Sequence, residues 1–144
     1  MKADPYKNFR FLLEIDGINQ AGFSECTGLG SNVEVVEYRE GGDPTTVRKL
    51  RGKITVNDIV LKWGITDSHE VYDWHKDIVA GKPLDKLRKN GSIVLLNDLG
   101  DEKIRWNFFA AWPTKWEGPK FVASANEIAI ETLTISCERV ERAK

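Results

Sequence analysis

The chain has 144 residues, of which 41% are hydrophobic and 30% charged, with 21 Lys and Arg against 22 Asp and Glu. That length predicts one domain, residues 1–144, with enough chain to bury a core unaided by disulfides or metal. The formal net charge is −1, divided as 9 basic and 11 acidic side chains over residues 1–72 and 12 and 11 over 73–144, which excludes a polycation built for nucleic acid and an acidic disordered tail.

The first ten residues hold no apolar signal-peptide core, so synthesis in the cytoplasm is expected. No apolar run approaches the roughly 18 residues of a membrane-spanning helix. Phe9, Phe11, Leu13 and Ile15 then alternate on one face and predict a strand, ended by an Asp16-Gly17 hairpin turn. Phe23 leads into a Gly-rich turn at residues 28–30. Residues 33–38 alternate again, but the apolar phase moves from Val33 and Val35 to Val36 and Tyr38, as a β-bulge or a change of face would produce.

Residues 39–52 are polar and rich in turn formers, and predict an extended loop between two strands able to pair as a hairpin. Strand periodicity resumes at Ile54 and Val56, shifts phase at Asn57-Asp58, and continues through Ile59, Leu61 and Trp63. A helix is predicted over 67–80, with Asp67 and Glu70 as a capping box, an apolar stripe of Val71, Trp74, His75, Ile78 and Val79, and Gly81 just past its end. Residues 82–90 read as a charged connector. The stretches 92–97 and 103–112 predict a second hairpin about an Asp98-Gly100 turn, and 111–119 a Trp- and Pro-punctuated turn. A long last strand over about 127–140 has inward residues Ile128 and Ile130, then Leu133, Ile135 and Cys137, with a bend near Thr132. Six or seven strands in hairpin order around one helix predict a mainly β antiparallel barrel or sandwich. The three phase switches predict strands that leave one sheet for another sheet or another subunit.

Few residues carry chemistry. Cys26 and Cys137 are isolated thiols, and His69 and His75 fall on different faces of a helix, so no metal site is expected. Asp73 and Asp77 read as a solvated helix face, and His75 as a packed residue without a nucleophile beside it. Gly28-Leu29-Gly30 and Gly41-Gly42-Asp43-Pro44 lack the rest of a nucleotide-binding signature. No catalytic residue, cofactor or metal is expected. The basic run Arg48-Lys49-Leu50-Arg51-Gly52-Lys53 ranks first as a docking surface for an acidic patch on a protein, second as a solvated tip and third as a nucleic-acid contact.

Ordered blocks along the chain carry a resemblance. They are Asp4-Pro5-Tyr6-Lys7-Asn8-Phe9-Arg10-Phe11, Phe23-Ser24-Glu25-Cys26-Thr27-Gly28-Leu29, Glu37-Tyr38-Arg39-Glu40-Gly41-Gly42, Lys49-Leu50-Arg51-Gly52, Leu61-Lys62-Trp63-Gly64-Ile65-Thr66, Ala111-Trp112-Pro113-Thr114-Lys115-Trp116 and Asn126-Glu127-Ile128-Ala129-Ile130-Glu131. They resemble the phage tail-tube and extracellular contractile-injection-system inner-tube proteins, similar in fold to the haemolysin-coregulated tube protein of type VI secretion. Trp63 stands where that family would be expected to carry Arg. The resemblance implies a structural subunit and no enzyme. It implies hexameric rings, stacked into a hollow tube whose lining barrel shares strands from every subunit. Sheath contraction would drive the tube through a target envelope, with an effector protein or phage DNA as lumen cargo. The implied partners are other copies of the chain, sheath proteins and baseplate proteins. The implied location is an injection particle or a virion, including particles released from the cell. Tyr38, Arg39, Glu40, Arg48, Lys49, Leu50 and Arg51 are the expected subunit or ring contacts. Four strands from each of six subunits, at ~4.8 Å spacing and ~40° tilt, would give a backbone radius of roughly 24 Å and a bore of about 35–40 Å. The alternative is a small β-barrel binding module that holds nucleic acid or an acidic partner on residues 48–53.

Overall fold

A long strand organises the fold. The computed structural model describes residues 10–18, 23–39, 41–42, 45–65, 67–123 and 129–144. Its elements are β1 (Arg10–Ile15), β2 (Phe23–Thr27), β3 (Ser31–Tyr38), β4 (Arg48–Val56), β5 (Ile59–Gly64), α1 (Glu70–Val79), α2 (Leu84–Leu87), β6 (Lys89–Leu96), β7 (Glu102–Glu117), β8 (Ile130–Ser136) and β9 (Arg139–Arg142). The first half of β7 pairs with β6 on one side and β9 on the other, and its second half pairs with β8. β7 therefore belongs to two antiparallel sheets, β1-β6-β7-β9 and β7-β8-β5-β2, while β3 and β4 form a third sheet of two strands. Among the described residues the sheets do not close into a barrel, since β1 and β2 end the path.

The switch between sheets has a visible cause. Ala110 is the sole non-glycine residue at positive φ among those described, at 54°. The register against β6 slips at the same place, between Lys89 and Gly91. The Ala110 N–H leaves the ladder and donates to Asn90 Oδ1 at 3.0 Å. Phe108, fully buried, fills the inside of the corner, and a Cβ on Gly91 would run into its ring and into the Glu14 carbonyl. The core then lies between the two sheets: Leu13, Ile15, Ile93 and Phe108 from one, Ile59, Leu61, Trp63, Leu133 and Ile135 from the other. Each of these side chains contributes about 1.5–3 kcal/mol by leaving water.

Alternation located β1, β5 and the β6–β7 hairpin correctly, and one of the three phase switches corresponds to a real break at its expected place. The Asn57-Asp58 shift is where the chain leaves the two-stranded sheet for β5. A bulge lies between Val33 and Val35, where Glu34 faces both Gly52 and Lys53, but its extra residue is on β4; β3 runs unbroken, and the phase switch from Val35 to Val36 reflects apolar residues on both of its faces. Other expectations need correction. The Asp16-Gly17 turn forms, with Gly17 at φ 74°, but β1 pairs with β6 instead of its sequence neighbour. Residues 111–119 are not a turn, because β7 runs on to Glu117. Pro113 is tolerated there because this half of β7 has a strand on one side, and the slip between Pro113 and Lys115 absorbs the misfit. The last strand breaks at Cys137-Glu138 and not near Thr132: β8 stays with one sheet, β9 joins the other, and the Glu138 N–H donates to the Phe109 carbonyl at 3.0 Å. The expected loop 39–52 is shorter, since Arg48 to Gly52 already belong to β4.

The helix also differs at its start. α1 begins at Glu70 with His69 as its N-cap residue and no side-chain cap, so Asp67 does not serve as one. His69 instead places Nδ1 2.6 Å from Asp73 Oδ2. Gly81, at φ 80°, occupies the left-handed position after the helix, as expected. Residues 82–90 are not a plain connector, because they hold the one-turn α2. α1 buries Val71 and Trp74. Trp74 Nε1–H donates to the Leu87 carbonyl at 2.7 Å, and Tyr72 meets Trp116 of β7 edge-to-face at 5.0 Å. Among the described residues no helix is long and apolar enough to cross a membrane. Cys26 and Cys137 are free thiols, half-buried and buried. Burial pushes the Cys26 thiol up to about 11 and raises Cys137 as well.

Two outcomes follow from this packing. Gly91→Ala is expected to cost about 1–3 kcal/mol by overpacking the corner. Gly42→Ala, which meets nothing within 4 Å, should stay within about 0.5 kcal/mol. Thermal unfolding of the unassembled variants distinguishes them, and equal midpoints would remove the corner argument. Cys26 is held protonated far above its unfolded range, so native protein at pH 8 should be alkylated on the order of 100-fold more slowly than unfolded chain. Because the folded value is the higher one, its contribution to stability is intact below about pH 9 and is lost as pH rises toward 11. Native alkylation as fast as that of denatured protein would contradict this assignment.

Candidate functional site

The β3–β4 hairpin stands apart from the body. Its two strands pair with each other and with no other strand among the described residues. The base is fixed by short polar links: the Asn57 N–H donates to the Gly30 carbonyl at 3.0 Å, and Asn32 Nδ2 donates to Asn57 Oδ1 at 3.3 Å. Val56, at the foot of β4, is half-buried against the core. Gly28 needs its φ of 91° here, where a Cβ would collide with the Asp58 carbonyl.

Register brings most of the expected contact residues together. Tyr38 lies opposite Arg48, Glu37 opposite Lys49, Val36 opposite Leu50 and Val35 opposite Arg51. Arg39 follows directly at the end of β3 and is exposed. Glu40 lies outside the described residues, as do residues 4–9, 66 and 126–128 of the blocks that carry the resemblance.

Strand alternation divides the hairpin into two faces. One carries Val36, Tyr38, Arg48 and Leu50. The other carries Val33, Val35, Lys49, Arg51 and Ile54. Both expose large apolar side chains: Leu50 at 51% and Tyr38 at 50% on the first, Val35 at 58% and Ile54 at 59% on the second. Neither face covers a core. Val33, Val35 and Ile54 are the site residues that sequence reading missed as contacts. Their alternation was visible, but it looked like the inner face of an ordinary strand. Their exposure depends on the hairpin projecting, which is a tertiary fact.

The geometry also splits the basic run. Arg48 points to one face and Lys49 and Arg51 to the other, with Glu37 directly across from Lys49. It is a mixed-charge apolar ribbon and not a cationic patch. At its bulge, a Cβ on Gly52 would meet Val36 Cγ2 at 2.7 Å, so glycine lets the strands close up there.

On and beside α1, two carboxylates are paired locally. Asp73 is held by His69, and Asp77 by Lys82 at 2.9 Å. His75 is half-buried on α1. Among the described residues no three metal-ligating side chains come together.

Comparison with known proteins accords with this arrangement. A family model described as T4-like virus tail tube protein gp19 matches residues 7–141. A chain of the extracellular contractile injection system PVC, from its sheath/tube terminator in the extended state, superposes with a TM-score of 0.84 at 28% identity, covering 99% of each chain. A chain of the anti-feeding prophage tube-terminating cap gives 0.82 at 28% identity, over 100% of this chain and 94% of the other. Hcp1 from Flavobacterium johnsoniae shares the fold at a TM-score of 0.56 and 18% identity, over 92% of this chain and 94% of the other. A sequence comparison with proteins of curated function gives no match. With all but a few terminal residues spanned by the family model, the chain belongs to the T4-like virus tail tube protein gp19 family.

Proposed function

We propose that the chain is a non-enzymatic subunit of the inner tube of a contractile injection particle or phage tail. Six copies close into a ring, rings stack into a hollow conduit, and sheath contraction drives the conduit through a target envelope with its cargo. The supporting observation is the β3–β4 hairpin with apolar side chains exposed on both faces. A lone two-stranded hairpin is marginal in water, and an exposed apolar ribbon is an aggregation hazard. Packing against another copy removes both problems. In this role Tyr38, Arg39, Glu40, Arg48, Lys49, Leu50 and Arg51 are contacts to the next subunit or ring, joined by Val33, Val35 and Ile54.

Related chains come from a sheath-tube complex, a baseplate and a tube terminator. They support the same classes of partner here, namely copies of the chain, sheath proteins and baseplate proteins. Assembly in the cytoplasm and final residence in a particle follow from that role. The nucleic-acid alternative loses ground because the cations of residues 48–51 point to opposite sides of the ribbon.

Electron microscopy of the purified protein, alone and co-expressed with sheath and baseplate proteins, should reveal rings or tubes. A strictly monomeric particle under every condition would overturn the proposal. Replacing Val33, Val35 and Ile54 together by Thr should leave subunit stability within about 1 kcal/mol, because these side chains are already wet. The same change should weaken assembly by on the order of 2–3 kcal/mol per subunit contact, roughly 30–150-fold. Sedimentation of the variant at several concentrations reads this out, and unchanged assembly would remove the hairpin from the interface.

A further inference from the structure

Fourteen large apolar side chains are well exposed among the described residues, and most of them fall in two groups. Six stand on the β3–β4 hairpin: Val33, Val35, Val36, Tyr38, Leu50 and Ile54. Four others, Ile65, Tyr72, Phe121 and Val122, belong to segments that gather at one end of the β7-β8-β5-β2 sheet. The proposed role uses the first group and leaves the second unexplained.

Topology brings this second group together. β5 ends at Gly64, opposite Ile130 at the start of β8, and β7 ends at Glu117, opposite Thr132. Ile65 follows Gly64, and its N–H donates to the Ala129 carbonyl at 3.0 Å. Phe121 and Val122 lie on the segment that leaves β7. That segment starts against an aromatic floor, since a Cβ on Gly118 would lie 3.1 Å from the Trp116 ring. Tyr72 of α1 meets the same ring at 5.0 Å, and Trp116 Nε1–H donates to Glu131 Oε2 at 2.8 Å. The floor is therefore held from two sides, while Phe121 above it is 87% exposed.

The hairpin leaves from the opposite end of the sheet. β2 ends at Thr27, opposite Val60, and β5 begins at Ile59, opposite Ile135; β3 and β4 lie between those two points in the chain. The two patches also differ in charge. β3 and β4 carry four basic side chains against two acidic ones. Residues 64–73 carry Asp67, Glu70 and Asp73 and neither Lys nor Arg. Glu117 nearby is paired with Lys115 at 2.6 Å, and Lys120 is the one cation of residues 118–123. Toward the hairpin tip, register puts Tyr38 opposite Arg48 and Val36 opposite Leu50 on one face, with Glu37 and Lys49 on the other. The acid of the first face, Glu34, lies nearer the foot, beside Gly52.

We propose that the end of the sheet bearing Ile65, Tyr72, Phe121 and Val122, with Asp67 and Glu70, is the receptor for the hairpin tip of a second copy in the next ring. This rests on the tube reading. Val36, Tyr38 and Leu50 supply the apolar contact and Arg48 the charge. Sheet edges are consumed in closing a ring, so the strand ends are what remains to face the rings above and below. In a barrel the strands tilt by about 35–45° from the axis, which turns their ends toward those neighbours. A donor at one end and a receptor at the other make a heterologous contact, which repeats along an axis. Two hairpins, or two receptors, brought face to face would set like charges together. Opposite charge thus fixes the polarity of the contact, and covering wet apolar side chains holds it. The other hairpin face, with Val33, Val35 and Ile54, stays available to a neighbour within the ring.

Tyr38→Cys combined with Phe121→Cys tests the pairing, since both positions are exposed and neither change touches the core. Tubes of this variant, treated with a short bis-maleimide and then denatured, should yield a ladder of joined chains that runs past the copy number of one ring. Each single variant, and the wild type with its half-buried and buried cysteines, should give none. Where the double variant does not assemble, Gly41→Cys with Lys120→Cys places the thiols beside the contact instead of in it. Tubes that form normally and give no ladder overturn the receptor. A ladder that stops at one ring puts the contact inside the ring and overturns it equally. Absence of rings and tubes from the wild type would remove the tube reading, and this inference with it.

Charge exchange tests the polarity. Arg48→Glu turns an attraction into a repulsion and should weaken stacking by roughly 2–30-fold per subunit contact, with rings intact. Asp67→Lys with Glu70→Gln should weaken it in the same way. All three changes together should restore most of the loss. Sedimentation of tubes at increasing salt reads this out, and wild-type stacking should itself loosen as salt screens the contact. Arg48→Glu tubes that stack like the wild type, or a triple variant that stacks no better than Arg48→Glu, would overturn the charge pairing.

Discussion

The bend in β7 sets the rest of the architecture. A single strand passes through two sheets, and at its corner one residue, Ala110, accepts a backbone conformation that side chains other than glycine rarely adopt. That strain is offset locally by the Asn90 hydrogen bond and by Phe108 seated on the bare backbone of Gly91. The same corner dictates the C-terminal end of the chain. β8 follows the second half of β7 and β9 follows the first, so the chain must break between them, and it does so at the Phe109 carbonyl. With the corner in place, the two sheets can stack and bury Ile59, Leu61, Leu133 and Ile135. Without it, β7 would be one flat strand, and half of those residues would have no opposite layer.

The stacked body and the projecting hairpin contrast in how they use apolar residues. In β5, alternate positions are buried and the others partly exposed, which is how a strand between a core and an outer surface reads. In β3 every residue is exposed. Val33, Val35 and Val36 cannot be stabilising the isolated subunit through burial, because they bury little in it. Their free energy is available for another surface. A subunit arranged in this way folds around one core and leaves a second supply of apolar area exposed.

Much of this was written in the sequence, but unevenly. Local alternation marked Ile59, Leu61 and Trp63, and Gly81 marked the end of α1, because both signals come from neighbouring residues. The phase switches were visible too: the one at Asn57 coincides with a change of sheet, while the one at Val35–Val36 reflects apolar residues on both faces of an unbroken β3. What was hidden depends on partners distant along the chain. Pro113 looked like a terminator because nothing nearby says that this half of β7 has, among the described residues, a strand on one side only. Asp67 looked like a cap because its spacing to Glu70 fits, while His69 with Asp73 was an equally local competitor. Residues 48–51 looked like one basic patch, since a linear run does not say that alternate side chains diverge. The ordered blocks of resemblance succeeded where periodicity stopped, for they carry long-range pairing implicitly.

In the proposed ring, closure would link the hairpin to the sheet edges. An open edge in an antiparallel sheet presents unpaired backbone N–H and C=O groups, and the shortest way to satisfy them is another copy's edge in the same sheet. That alone would permit open-ended fibres as readily as rings. A projecting ribbon with apolar residues on two faces adds a second contact at a fixed distance from the edge. Two contacts fix an angle where one does not. The angle between neighbouring copies then becomes a property of the subunit, and a fixed angle is what makes a ring close at a definite number. In the proposed tube, the exposed ribbon, costly for a lone subunit, would be the feature that converts an adhesive sheet edge into a closed wall.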